Sequence, residues 1–285
     1  MVEFKNYIWV HRSEDENYEY VIFSNVQYDD TYHAYANTNE TGTVKDCFYW
    51  GMYEGTKVND RMRSLSNGAS TANQSAATEI AQAQANGSGW YVIYKSGWDY
   101  IIDILTLISK TDNSQAAFGN GSISSSLSSP PNTGTLANKS AFCGYSNETS
   151  DVKVLYMEGL WGGRWERLAG LVQNKTSGLY VKMTPPYNTS GEGYTKAVSV
   201  TGTSGNFISG SSCTDTFGYL PTSLSGSENT YMCDKVWYDT SKAATGACGG
   251  RWTLGKGCGA RCLHFGVETT TEAVYTAARI SYLAP

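Results

Sequence analysis

Met157-Glu158-Gly159-Leu160-Trp161-Gly162-Gly163-Arg164-Trp165-Glu166 is the stretch on which the fold reading turns. Two tryptophans stand among three glycines, with a glutamate near each end. Large aromatic rings gain much by burial. A carboxylate in such a segment more often satisfies backbone donors or an arginine than a substrate. Arg164 and Arg167 are therefore read as ion-pair partners of Glu158 or Glu166. Drawing Glu158 and Glu166 as a glycosidase pair is the competing reading.

Two helical stretches lie upstream. In residues 70–86, Ala76, Ala77, Ile80, Ala81 and Gln84 fall at helical spacing, and Asn86-Gly87 supplies a stop. In residues 96–110, Ser96 is a plausible N-cap with Asp99 three residues on, and Trp98, Ile101, Ile102, Leu105 and Ile108 line one face. Further back, residues 4–10 and 18–28 alternate apolar and polar and read as a strand pair around the acidic turn at 13–17. Residues 46–53 form a dense aromatic segment expected to be buried. Residues 119–135 are rich in Gly, Ser and Asn and contain Pro130-Pro131, a long loop rather than a linker. Downstream, residues 152–157, 178–183, 237–239, 258–265 and 277–283 read as strands between glycine turns. The pattern is α+β: two main helices, short antiparallel strands and much irregular loop.

Composition bounds the function. The chain has 285 residues, a net charge of −5, 16% charged residues, 21 Tyr, 8 Trp and 30 Gly. A mildly acidic, evenly charged chain offers no basic stripe to a nucleic-acid backbone. So many aromatics argue against disorder. The longest apolar run, residues 101–108, is broken by Asp103 and Thr106 and is too short to span a bilayer. Residues 1–7 have no basic region leading into an apolar run, so no signal peptide is expected. Seven cysteines, an odd number, are read as reduced thiols. Cys258, Cys262 and His264 are off the usual zinc spacing, so no metal is expected.

Three pieces of the chain carry a resemblance. The first is Gly89-Trp90-Tyr91 followed by Trp98-Asp99-Tyr100. The second is the stretch quoted above. The third is Gly249-Gly250-Arg251-Trp252, then Cys258-Gly259-Ala260-Arg261, then Ala277-Ala278-Arg279-Ile280-Ser281-Tyr282. In this order, over about two-thirds of the chain, they resemble the formylglycine-generating-enzyme branch of the C-type lectin-like fold. That family has a tryptophan-rich helix start, a central Gly-Asn-x-Trp-Glu-Trp turn and a late Arg-Gly-Gly-Ser-Trp segment. Here the turn reads Gly162-Gly163-Arg164-Trp165-Glu166-Arg167 and the late segment Cys248-Gly249-Gly250-Arg251-Trp252. The family's turn is structural and packs under the site, so the resemblance implies that Trp161 and Trp165 are core. The resemblance implies a lectin-like domain over residues 61–285 with a C-terminal ligand surface. Residues 1–60 would then supply N-terminal strands and the aromatic segment, packed on that domain or part of it.

The whole chain also resembles a group of phage structural proteins. The cues are Lys45-Asp46-Cys47-Phe48-Tyr49-Trp50, Leu107-Ile108-Ser109-Lys110, Gln115-Ala116-Ala117-Phe118-Gly119, Val154-Leu155-Tyr156-Met157-Glu158, Gly218-Tyr219-Leu220-Pro221 and the terminal Ser281-Tyr282. This implies a virion protein, in the tail or on the particle surface and made in the bacterial cytoplasm. It would contact other virion proteins and a host-cell receptor, protein or glycan. By analogy with tail-tip proteins it would be a homotrimer. Lectin-like domains of this branch also serve as variable receptor-binding proteins of diversity-generating retroelements, with the variable surface near the C-terminus.

The residues expected to bind are Arg251, Trp252, Lys256, Arg261 and His264, with Tyr275 beside the final strand. Gly249, Gly250, Gly255, Gly257 and Gly259 frame them and permit a tight exposed loop with φ > 0. Trp and Arg on such a loop have the profile of a recognition hot spot. The competing reading makes Trp252 core and the basic residues merely solvated. Catalysis has less support. The resembled enzyme holds copper on a cysteine pair after its Gly-Gly-Ser-Trp. Here Leu254 stands two residues after Trp252, and only Cys258 matches the second cysteine. Cys258 and Cys262 at i, i+4 of a strand would lie about 13 Å apart. No nucleophile elbow, His-Glu-x-x-His or phosphate loop occurs. The expectation is a binding protein without cofactor, not an enzyme; a formylglycine-generating-type oxidase and a carbohydrate-binding module are the alternatives.

Overall fold

Alternation in residues 9–24 produces a hairpin: Trp9–Glu14 pairs antiparallel with Glu19–Ser24. Asp15 closes its turn by accepting from the backbone N–H groups of Asn17 and Tyr18. The computed structural model describes residues 1–6, 8–124, 126–145, 151–230 and 232–285. Tyr7, inside the expected first strand, and Ser125, inside the expected long loop, lie outside the described residues. The expected strand 4–10 is in fact two. Val2–Lys5 belongs to another sheet, and Asn6 turns the chain between them at φ 66°.

That other sheet runs, in order, Val2–Lys5, Cys47–Trp50, Ile280–Leu283, Trp90–Val92. Both ends of the chain therefore share one sheet. Phe48 and Trp50 alternate inward and are fully buried. The hairpin of Gly55–Val58 and Arg61–Ser64 turns at Asn59 and Asp60, so it straddles the expected boundary between 1–60 and 61–285.

The larger sheet runs Thr195–Ser199, Gly178–Val181, Trp165–Asn174, Ala243–Gly249, Gly259–Phe265, Lys235–Tyr238, Asn206–Phe207, with Thr276–Ala277 pairing Trp165–Asn174 off this path. Its longest strand, Trp165–Asn174, continues directly from the aromatic turn. All but its last residue are buried. A strand covered on both faces has no polar–apolar period, which is why it escapes a sequence reading. Expected strand 152–157 is a tight hairpin of Lys153–Val154 and Met157–Glu158. Expected strand 277–283 divides at Arg279 between the two sheets.

Three α-helices are present among the described residues: α1 (Ala76–Gln84), α2 (Lys95–Ser109) and α3 (Ser114–Phe118). Ser75 caps α1 by accepting from Thr78 N–H. α2 starts one residue earlier than expected. Ser96 is not its cap but lies inside it, donating to Met183 O at 2.7 Å, and Asp99 pairs with Lys95. The buried helix start is held by tertiary partners instead of a capping box. Trp98, Ile101, Ile102 and Leu105 are buried as expected, whereas Ile108 is exposed. The fold is α+β and strand-rich, and its core is built on aromatic rings such as Trp50 and Trp98, stacked with centroids 6.2 Å apart.

Trp161 and Trp165 are buried, as the sequence suggests. The expected ion pairs are corrected. Glu166 pairs with Arg279 at 2.6 Å, and Arg167 pairs with Glu79 at 3.0 Å. Among the described residues the Arg164 guanidinium forms no ion pair, and it lies over the Trp252 ring at 5.5 Å. These partners are remote in sequence, so neighbouring charges in the turn gave the wrong pairing.

Candidate functional site

Four aromatic rings converge on one corner of the larger sheet. Trp237 and His264 are register partners on adjacent parallel strands. Ala247, opposite His264 on the next strand, is small. Trp165 packs across it, its ring 4.8 Å from His264 and 5.6 Å from Trp237. Tyr275 completes the corner, its ring 6.4 Å from His264 and its carbonyl accepting from Trp165 N–H. The Arg251 guanidinium lies 4.7 Å above the Tyr275 ring. Trp165 and Cys262 form the buried floor, while Trp237, Leu254, His264, Tyr275 and Arg251 are partly open to solvent.

His264 is held neutral. Burial, reinforced by the positive charges of Arg251, Arg167 and Lys242, pulls its pKa down to about 3. The corner thus presents apolar ring faces and an uncharged imidazole, with Arg251 as its directed multiple donor. Such a surface suits stacking against a planar or pyranose-like face with one oriented polar contact.

The six expected site residues separate into two groups. Arg251, His264 and Tyr275 meet at the corner. Lys256 is exposed on the neighbouring turn and pairs with Glu228 at 3.3 Å. Trp252 and Arg261 are not surface residues. Trp252 is buried, with its indole N–H donating to Leu127 O at 3.0 Å. Arg261 is buried against Asp103 at 2.9 Å and Asp112 at 3.7 Å, its guanidinium 4.2 Å above the Tyr219 ring. Asp103 also accepts from Arg12, so this cluster ties the N-terminal hairpin to α2 and to Gly259–Phe265. Strand alternation explains the split: Arg261, Leu263 and Phe265 face the main core side, and Cys262 and His264 face the corner. Trp237 and Leu254 were missed as site residues. Trp237 is recognisable only through its parallel register with His264.

The seven cysteines are free thiols. Cys258 Sγ donates to Arg251 O and Cys262 Sγ to Gly257 O, and burial pushes both thiols up. Neither is poised as a thiolate. Glu166 is sealed under Arg279, which leaves no free pair with Glu158. Glu54, Asp151 and Glu158 line a cavity of about 20 Å³ beside Pro130 and Pro131, and burial with the nearby Glu54 charge raises Asp151 to about 7. That volume holds a water or two, not an organic ligand. Among the described residues, no cluster of three His, Cys, Asp or Glu side chains is placed to hold a metal ion. No helix among them is long and apolar enough to cross a membrane. No protein-family model matches the chain, and no curated protein matches it in sequence.

Proposed function

We infer that the chain is a phage virion protein, in the tail or on the particle surface, that binds a host-cell receptor through a C-type lectin-like domain. The binding surface is the corner of Arg251, Trp237, His264 and Tyr275, with Lys256 at its margin. The observation that carries the reading is this half-open aromatic cluster, mounted on paired strands and fitted with a stacked arginine. Rigid aromatic anchors with an Arg donor are the usual composition of recognition hot spots. The lectin-like reading is supported by how the three resembling segments interlock. Gly162 N–H donates to Gly249 O and Trp252 N–H to Gly163 O. Glu166 grips Arg279, Trp98 Nε1–H donates to Ala260 O, and Tyr91 pairs with Ser281. The raised thiols favour binding over oxidase chemistry.

The test replaces Trp237, Arg251, His264 and Tyr275 with alanine and measures binding to a panel of intact bacterial cells and to a glycan array. Loss of binding with an unchanged far-UV spectrum and cooperative thermal unfolding is expected. Unchanged cell binding overturns the assignment of the corner. A glycan signal without cell attachment favours the carbohydrate-binding module. Copper-dependent oxidation of a cysteine peptide, abolished in Cys258→Ser, favours the oxidase. Genes for other virion proteins beside this one, with a reverse transcriptase and template repeat, would speak for a diversified phage receptor-binder.

A further inference from the structure

The aromatic corner of the larger sheet leaves its polar groups without protein partners. Among the described residues, the Arg251 guanidinium donates to no oxygen and forms no ion pair; its contact is the Tyr275 ring. Arg12, Arg167, Arg261 and Arg279, by contrast, are each held by a carboxylate. Trp237 Nε1–H and the ring nitrogens of His264 also have no hydrogen-bond partner among the described residues. All three side chains are half-buried, so these groups are open to a ligand. Two glycines border them. A Cβ at Gly205 would stand 3.0 Å from Trp237 Nε1, and one at Gly266 would stand 3.0 Å from His264 Nε2. With only hydrogen at both positions, the nitrogens stay uncrowded.

The charge at this corner is positive and uncompensated. Lys235 stands two residues before Trp237 on the same strand and so shares its face. Its ammonium lies 4.6 Å from the Phe207 ring and, among the described residues, forms no ion pair. The charges acting on His264 are those of Arg251, Arg167 and Lys242, all positive. The chain as a whole carries −5, so the corner runs against the molecule's own balance. A surface of one uncompensated sign attracts a ligand of the other.

We propose that the corner takes an acidic oligosaccharide, built of pyranose units that bear a carboxylate, from a bacterial envelope polysaccharide. This rests on the reading of the corner as the binding surface and names its ligand class. The Arg251 fork receives one carboxylate through two parallel N–H···O bonds. Ring centroids step 6.4 Å from Tyr275 to His264 and 6.4 Å from His264 to Trp237, a row longer than one sugar ring. The next unit therefore packs its C–H face against Trp237, and Lys235 supplies the second charge. Hydroxyls meet Trp237 Nε1–H and the neutral imidazole, which offers one donor and one acceptor. A phosphate-linked polyol would answer Arg251 but has no ring face for Trp237. A neutral sugar would leave both cations unanswered.

Calorimetric titration of the full chain tests this. The probes are oligomers of galacturonate, glucuronate, mannuronate and N-acetylneuraminate, each beside its methyl ester, and a glycerol-phosphate polymer. The ester keeps the ring and removes the charge. At least one acid should bind, and its ester should bind at least about tenfold more weakly. Arg251→Gln should weaken the acid about ten- to a hundredfold and abolish its advantage over the ester. Arg251→Lys, which keeps the charge but not the fork, should fall between. Lys235→Gln should cost about threefold. Lys5→Gln, the same charge change on the edge strand of the smaller sheet, should leave affinity unchanged. Binding to none of the acids, an ester or the phosphate polymer binding as well as the best acid, or indifference to Arg251→Gln overturns the proposal. If the alanine variant of the corner still loses cell binding in that event, the surface stands and only its ligand class falls. If that variant keeps cell binding, the surface falls as well.

Discussion

Replacing Arg279 with methionine probes the joint on which the aromatic turn rests. Arg279 and Glu166 are fully buried. Arg279 Nε donates to both Glu166 oxygens at 2.9 and 3.2 Å, and Nη2 donates to Glu166 Oε1 at 2.6 Å and to Glu158 O at 2.7 Å. Nη1 donates to Gly51 O at 3.0 Å. Methionine fills most of the volume but leaves a buried carboxylate without its counter-ion, which costs about 3–5 kcal/mol. Two carbonyls also lose a donor, at about 1 kcal/mol each. A loss of about 5 kcal/mol corresponds to roughly 10–20 °C in Tm for a chain of this size. Adding Glu166→Gln removes the stranded charge and should recover about 2 kcal/mol, a coupling that a double-mutant cycle reads directly.

The pH dependence has a definite sign. Burial already raises Glu166 above its ordinary 4.5, against the opposing pull of Arg279. Without Arg279 the folded-state value climbs further. A carboxyl with a raised folded value favours folding fully below its unfolded value, and that contribution is lost as pH rises through the folded one. The deficit of Arg279→Met should therefore be smallest near pH 4.5 and grow towards neutrality. Urea denaturation at both ends of that range measures it. A cost under about 1 kcal/mol, or a deficit that ignores pH, would refute the reasoning.

Two glycines in the 249–259 segment should respond differently to alanine. At Gly249, φ is 84° and a Cβ would sit 2.3 Å from Leu160 O, so Gly249→Ala should cost more than about 3 kcal/mol by chemical denaturation. At Gly255, φ is 56° with open space around it, so the cost should be about 1 kcal/mol. His264 should remain neutral in an NMR titration down to about pH 3. Its depressed value means that its stabilising contribution is present above 6.5 and lost as pH falls towards 3; His264→Phe should remove that acid sensitivity.

Several features were legible because they depend on near neighbours. Phe48 and Trp50 are buried, as the aromatic density of residues 46–53 suggests. The spacing from Ala76 and the Asn86-Gly87 stop place α1, and the stripe from Trp98 to Leu105 places α2 to within a residue. Trp161 and Trp165 are buried, as the resemblance of their turn to a structural one implies. Other features gave no local signal. Trp165–Asn174 is covered on both faces, so its sequence shows no period. Arg261 stands in a glycine-framed, polar-looking stretch, yet its partner Asp103 is 158 residues away. Arg279, the partner of Glu166, is 113 residues away.

The sequence by itself determined the α+β class, the positions of α1 and α2 and the burial of the aromatic turn, because propensity and period act over a few residues. Only the tertiary structure decided which charged and aromatic side chains face outward. It sent Trp252 and Arg261 inward, gathered Arg251, Trp237, His264 and Tyr275 at one corner, and left Tyr18, Tyr20 and Ile22 uncovered on the N-terminal hairpin. Those outcomes follow from strand register and from ion pairs closed between distant segments, where a shift of one residue reverses the face a side chain occupies.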